Sequence, residues 1–246
     1  MKHLVMSISL ASACWALPAV AQTNLVVPGT YASTAATSSD NAPLGVANQH
    51  IQQVFSASLL ASSGLAAGEQ LTGLGFRIAA NQSSLAAQTV SDYSIWMGLA
   101  ANAPGSLSSA LADNGVFMTQ VRSGSLTITS GQFSGGQSVN PFGYITFNTP
   151  YNYLGGDLLI EIAYSGFSSG GNVDAAWPYD STLAQTAFGT GPNATTADAG
   201  IYNEAIVMSF QGNWSTTIVS AVPEPATTGL LALGIIGLLA RRCRTQ

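Results

Sequence analysis

From Leu158 to Tyr164 the chain reads LLIEIAY. In extended backbone Leu158, Ile160, Ile162 and Tyr164 fall on one side while Glu161 and Ala163 fall on the other. The same period of two recurs along the chain. Leu74, Phe76 and Ile78 alternate with Gly73, Gly75 and Arg77. Tyr93, Ile95, Met97 and Leu99 share a face, with Asp92, Ser94 and Gly98 opposite. Ile145 and Phe147 oppose Thr146 and Asn148, and Ile206, Met208 and Phe210 alternate with Val207 and Ser209. Alternation of this kind is the mark of a half-buried strand. Turn-forming runs lie between these segments: Ala103-Pro104-Gly105, Asp113-Asn114-Gly115, Gly155-Gly156-Asp157 and Ser169-Gly170-Gly171. No body segment carries the caps and 3.6-residue period of a long helix, and Ser106 to Ala112 has room for about one turn. The expected fold is all-β: an antiparallel β-sandwich, jelly-roll-like, spanning residues 46–220. Residues 22–45, rich in Ala, Ser and Thr, read as an extended lead-in with one edge strand at Leu25 to Val27.

Charge narrows the function classes. Charged residues make up only 7% of the 246, against roughly 25% in an ordinary globular domain. The cations sit at the ends, at Lys2 and at Arg241, Arg242 and Arg244. Between them, ten acids from Asp40 to Glu204 face only Arg77 and Arg122, a surplus of eight negative charges. Such a body cannot hold a phosphate backbone, so nucleic acid is excluded as a partner. Cys14 and Cys243 both lie in terminal segments. The stretch between Gln22 and Ala221 therefore has no disulfide, thiolate nucleophile or cysteine-based metal site.

The N-terminus is an export signal, residues 1–21. Lys2 precedes an apolar run to about Leu17, and Ala19 and Ala21 have the small-residue spacing that signal peptidase reads, placing cleavage before Gln22. The run is shorter than the roughly 18 residues that spanning requires.

The other end, residues 222–246, is a second sorting segment. Val222-Pro223-Glu224-Pro225 cannot be helical or sit in a central strand, because each proline lacks an N–H and restrains its predecessor. An uncharged run rich in Leu, Ile and Gly follows, ending at Ala240. As a single hydrophobic helix it would be about 22 Å long, thin against a hydrocarbon core of about 30 Å. Arg241, Arg242 and Arg244 then act as a stop signal on the cytoplasmic side. This series resembles the PEP-CTERM sorting domain. The resemblance implies that Pro223, Glu224 and Pro225 are the recognition motif. It also implies processing by an exosortase, a transpeptidase-like membrane enzyme of Gram-negative bacteria that make exopolysaccharide. The segments around QQVFSASLL, LTGLGFRIA and SDYSIWMGLA also resemble, loosely, a body type that recurs among such proteins.

No catalytic constellation is legible, and the chain is not expected to be an enzyme. His50 is the one histidine left after export, and no G-x-S-x-G elbow accompanies it. Asp157 with Glu161, or Asp174 with Asp180, are the available carboxylate pairs, and nothing marks them as acid and base. No cofactor and no metal ligand set is assigned. A structural Ca²⁺ among the loop acids Asp157, Asp174, Asp180 and Asp198 is the one metal worth weighing, against plainly solvated acids. Tyr151, Tyr153, Trp177 and Tyr179 lie in loop-like settings beside Asn152 and Asp180 and are candidate sugar contacts, with capping of the core as the plainer alternative. The expectation is an exported cell-surface or matrix protein, transiently anchored in the inner membrane. Its partners would be signal peptidase, an exosortase-type enzyme and exopolysaccharide, with a structural or adhesive role in a biofilm. The alternative is an extracellular carbohydrate-binding module or polysaccharide-acting enzyme.

Overall fold

The computed structural model describes residues 24–214. The signal peptide, its cleavage residues Ala19, Ala21 and Gln22, and the whole C-terminal segment with its hydrophobic helix, Pro223, Glu224, Pro225, Arg241, Arg242 and Arg244 lie outside the described residues. Fifteen strands follow one another: β1 (Asn24–Val27), β2 (Ser38–Asp40), β3 (Asn48–Phe55), β4 (Gln70–Arg77), β5 (Gln88–Val90), β6 (Asp92–Ala100), β7 (Gly115–Arg122) and β8 (Leu126–Ile128), then β9 (Phe142–Asn152), β10 (Leu158–Ser165), β11 (Val173–Ala176), β12 (Ala184–Thr190), β13 (Gly200–Tyr202), β14 (Ala205–Ile206) and β15 (Met208–Asn213).

Every pairing between these strands is antiparallel. One large sheet runs β13-β12-β3-β10-β6-β7, the other β1-β15-β4-β9, and two small sheets are β14-β11-β2 and β5-β8. The chain passes between the large sheets from β1 to β3, β3 to β4, β4 to β6, β7 to β9, β9 to β10 and β13 to β15. Unequal sheets of six and four strands stand in place of the two matched four-stranded sheets of a jelly roll.

The alternation read from the sequence sets the core. Ile160, Ile162 and Tyr164 of β10, Tyr93, Ile95 and Met97 of β6, and Ile51 and Phe55 of β3 share one apolar cluster with Leu74 and Phe76 of β4, Ile145 of β9 and Met208 and Phe210 of β15. Two sheets that bury one cluster between them make a sandwich. The outer face of the six-stranded sheet is not bare either. Val54, Leu159 and Ala187 point outward and are roofed by Leu107 and Leu111, with Ala194, Ala197 and Ile201 alongside.

Three local features depart from the alternation. A short helix, α1 (Ala57–Ser63), follows β3, started by the Ser56 hydroxyl accepting from the Leu59 N–H at 3.2 Å and stopped by Gly64 at φ 104°. Where β7 meets β6, Leu99 pairs with Val116 and Met97 with Thr119, so Phe117 and Met118 together oppose Gly98. This bulge places Phe117 at φ 55° and leaves it 84% exposed. Arg77, which alternation puts on the polar side of β4, is 1% exposed because the lead-in folds over it. Its Nε donates to Asp174 Oδ2 at 2.6 Å, its Nη2 donates to the Thr34 carbonyl, and its guanidinium lies 5.1 Å from the Phe142 ring centre. The lead-in is thus part of the domain: β1 pairs with β15, and β2 pairs with β11.

Candidate functional site

The aromatic candidates separate into two groups. Tyr151 and Tyr153 are 7% and 2% exposed and belong to the main apolar cluster. The Tyr153 hydroxyl donates to the Gly156 carbonyl at 2.5 Å, and burial, with the Asp157 charge, pushes that phenol up to about 12. Tyr179 is half-buried against the same cluster. Trp177 alone is open, at 53%. The four do not line one groove.

The acids are similarly dispersed. Asp174 is committed to Arg77 and also accepts from the Ala36 N–H at 3.0 Å. Asp157 accepts from Ala57 N–H in the first turn of α1 at 2.8 Å, Asp180 from the Thr182 hydroxyl at 2.7 Å, and Asp198 from the Thr190 N–H at 2.6 Å. Among the described residues no three potential metal ligands are gathered.

His50 and Glu161 do meet. Glu161 of β10 lies opposite Gln52 of β3, so His50 is its diagonal neighbour on the outer face. Their side chains approach to 3.0 Å (Nε2 to Oε1), while Nδ1 donates to the Ala194 carbonyl at 2.8 Å. Burial alone would disfavour the imidazolium, but Glu161 and the Ala194 carbonyl outweigh it and the His50 pKa is raised. Burial likewise opposes ionisation of Glu161, and hydrogen bonds from His50 and Gln52 hold its pKa below the usual value. Gln52 donates to Glu161 at 2.6 Å and accepts from Asn114 at 2.9 Å, and Asn114 accepts from the Ser108 N–H at 2.7 Å. The network ties the roofing loop to the sheet. The His50 ring is thus set between the Ala194 carbonyl, bonded at Nδ1, and the Glu161 carboxylate beside Nε2, an arrangement that joins the loop to the sheet.

One surface feature has the makings of a binding site. Ser38, Ser39, Asp40, Trp177, Tyr202 and Glu204 line a depression of about 310 Å³. It lies over the small β14-β11-β2 sheet beside β13. Trp177 follows the last residue of β11 and Glu204 precedes the first of β14, so both extend the Ala176–Ala205 pairing. The backbone of Trp177 is fixed by its N–H donating to Thr37 Oγ1 at 3.3 Å. Tyr202 is 44% exposed, donates its hydroxyl to the Ala199 carbonyl at 3.2 Å and meets Phe188 edge to face at 5.8 Å. The Tyr202 ring and the Trp177 backbone are therefore held before any ligand arrives.

Glu204 is the unusual member. It keeps 5% of its surface, and its main chain is held by Thr186 Oγ1 donating to its carbonyl at 3.0 Å. Among the described residues, none of the hydrogen bonds that hold it reaches its carboxyl. Burial, then the nearby Asp40 charge, pushes its pKa up to about 8. Asp40 is also raised by burial, an effect partly offset by the Ala42 N–H at 2.6 Å. The depression thus sets two carboxyl groups side by side, both of which burial makes harder to ionise. Sequence reasoning found Trp177 but missed Tyr202, Asp40 and Glu204. Asp40 and Glu204 come from opposite ends of the domain and meet only through the β2–β11–β14 pairing.

An antiparallel β-sandwich with one aromatic and acidic depression serves binding or structure as readily as catalysis, so the fold does not name the activity. The tail is more specific. Residues 221–244 match the PEP-CTERM protein-sorting motif, the stretch that holds Pro223, Glu224, Pro225 and the arginine cluster. That motif implies processing by an exosortase, and with it export and a cell-surface or envelope location. No curated protein and no solved structure is significantly similar to the chain.

Proposed function

We propose that the protein is a non-enzymatic structural or adhesive component of the cell surface or an exopolysaccharide matrix, released from the inner membrane when its C-terminal signal is processed. The observation that carries this reading is the sorting motif over residues 221–244. The body agrees with it. His50 is occupied, the loop acids are spent on local donors, and the surface is nearly free of cations. Signal peptidase would remove residues 1–21, leaving β1 to begin two residues after the new N-terminus. The test is intact mass and fractionation in the native host, with and without Pro223→Ala and Pro225→Ala together. The expected wild-type product lacks Met1 to Ala21 and the apolar tail and leaves the inner membrane, whereas the double variant stays there at full tail length. Equal fractionation of both forms, tail retained, would make the segment a plain anchor and remove the main support for a matrix role.

Carbohydrate binding is the second reading, and the depression under Trp177 favours it. An exposed indole beside hydrogen-bonding side chains suits the apolar face and hydroxyl rim of a sugar ring.

A further inference from the structure

We propose that the depression formed by Trp177, Tyr202, Asp40 and Glu204 binds a single neutral pyranose unit of a polysaccharide, with the indole as platform and the two carboxyl groups reading its hydroxyls. The volume, about 310 Å³, sits at the small end of ligand sites and suits one ring rather than a run of several. Trp177 offers its face at 53% exposure and Tyr202 a second ring at 44%. Stacking a sugar on them removes apolar surface from water on both partners. The Tyr202 ring need not be ordered on binding, because Ala199 and Phe188 already hold it, and Thr37 fixes the backbone that carries the indole.

Glu204 points to the ligand's character. Among the described residues no hydrogen bond reaches the Glu204 carboxyl, and the residue lines the depression, so a ligand there meets an uncommitted carboxyl. In its protonated form it can donate one hydrogen bond and accept another, which matches a hydroxyl pair on a pyranose. Asp40 adds an acceptor, and Ser38 and Ser39 add hydroxyls. A neutral sugar leaves the proton on Glu204, whereas an ammonium ligand would have to draw that buried group into its charged form. Among the described residues the neighbours offer no cation to do so. Asp40 faces Glu204 from β2 and Tyr202 precedes it, β3 and β12 present the uncharged Gln53 and Thr186, and on β11 Asp174 is paired with Arg77.

The proposal rests on the carbohydrate-binding reading of the depression and is independent of the sorting reading, since its test uses purified protein. Failure to bind sugar leaves the sorting experiment intact, and failure of sorting leaves the binding result intact. The full chain, purified in detergent, is titrated with the methyl pyranosides of glucose, galactose and mannose, followed by saturation-transfer NMR and calorimetry. At least one should bind with Kd on the order of 1–10 mM, as befits a ligand of about a dozen heavy atoms. Trp177→Ala should weaken it at least about tenfold, with Trp177→Phe intermediate and both variants melting as wild type. Between about pH 6.5 and pH 9 the wild type should lose affinity by about tenfold as Glu204 ionises around 8. Glu204→Gln, which cannot ionise, should lose that pH dependence. Absence of binding by all three glycosides at about 50 mM, well above the expected Kd, overturns the proposal. So does binding indifferent to Trp177→Ala, or binding that tightens with pH and prefers glucosamine or tetramethylammonium, the signature of a cation site.

Discussion

Asp174 shows how one side chain can be read in two ways until its neighbours are known. In sequence it is a loop acid available to a metal. In the fold it is 1% exposed and receives Arg77 Nε, Arg77 Nη2 and the Ala36 N–H. Removing one partner of a fully buried ion pair strands the other charge in a site without water, at a cost of about 3–5 kcal/mol. Asp174→Asn keeps the shape but removes the charge that balances Arg77. It should lower the unfolding free energy measured by urea denaturation by an amount in that range, while Asp198→Asn, at an exposed loop acceptor, should lower it by less than about 1 kcal/mol. Equal effects from the two variants would mean that the Arg77 pair is not a keystone of the domain. The functional residues divide along the same line. Trp177 stands out in sequence because large aromatics in loops do, but Glu204 has no local mark, since its raised pKa comes from burial and from Asp40 far away in the chain.

Strand faces were legible because the core demands them. A one-residue slip in β10 would turn Ile160 and Ile162 out and Glu161 in, so the alternation could be read directly. Three element-scale features were not legible. The helix α1 is seven residues long, too short to set up a periodicity. The edge strand expected at Leu25 to Val27 is β1, but β2 contains three residues, and only pairing with β11 makes it a strand. The β7 bulge has no sequence signature beyond Gly98 on the partner strand. That glycine is the element's weak point. A Cβ there would press on the Met118 sulfur and lie 2.8 Å from the Val116 carbonyl oxygen, which is backbone and cannot swing away. Gly98→Ala should therefore cost about 1–3 kcal/mol. The loss should concentrate in β7, whose amides exchange with deuterium earlier than those of β10. Unchanged protection in β7 would show that the bulge can shift to accept the methyl group.

The residue ranges 22–45 and 46–220 look like a tail and a domain when only composition is compared, but hydrogen bonding crosses the division. The domain is tied by its two ends: β1 pairs with β15 from Asn24↔Gln211 to Val27↔Met208. The lead-in also supplies the Thr34 carbonyl and the Ala36 N–H to the buried Arg77–Asp174 pair, and Asp40 to the depression. Val27 and Leu44 are both 0% exposed, and losing their burial alone forfeits about 3–6 kcal/mol at roughly 1.5–3 each. Stripping the lead-in from the Arg77–Asp174 pair adds to that, and the Val27 and Leu44 term alone is already comparable to the 5–15 kcal/mol that separates typical folded and unfolded states. A chain starting at Val46 should show no cooperative urea transition in near-ultraviolet dichroism and rapid proteolysis, whereas one starting at Gln22 should behave as the exported protein does. If the Val46 form unfolds cooperatively at the same midpoint, the first strands are an ornament on an independent sandwich. If it fails to fold, the lead-in is part of the folding unit, and the Asp40 side of the depression is inseparable from the domain that presents Trp177.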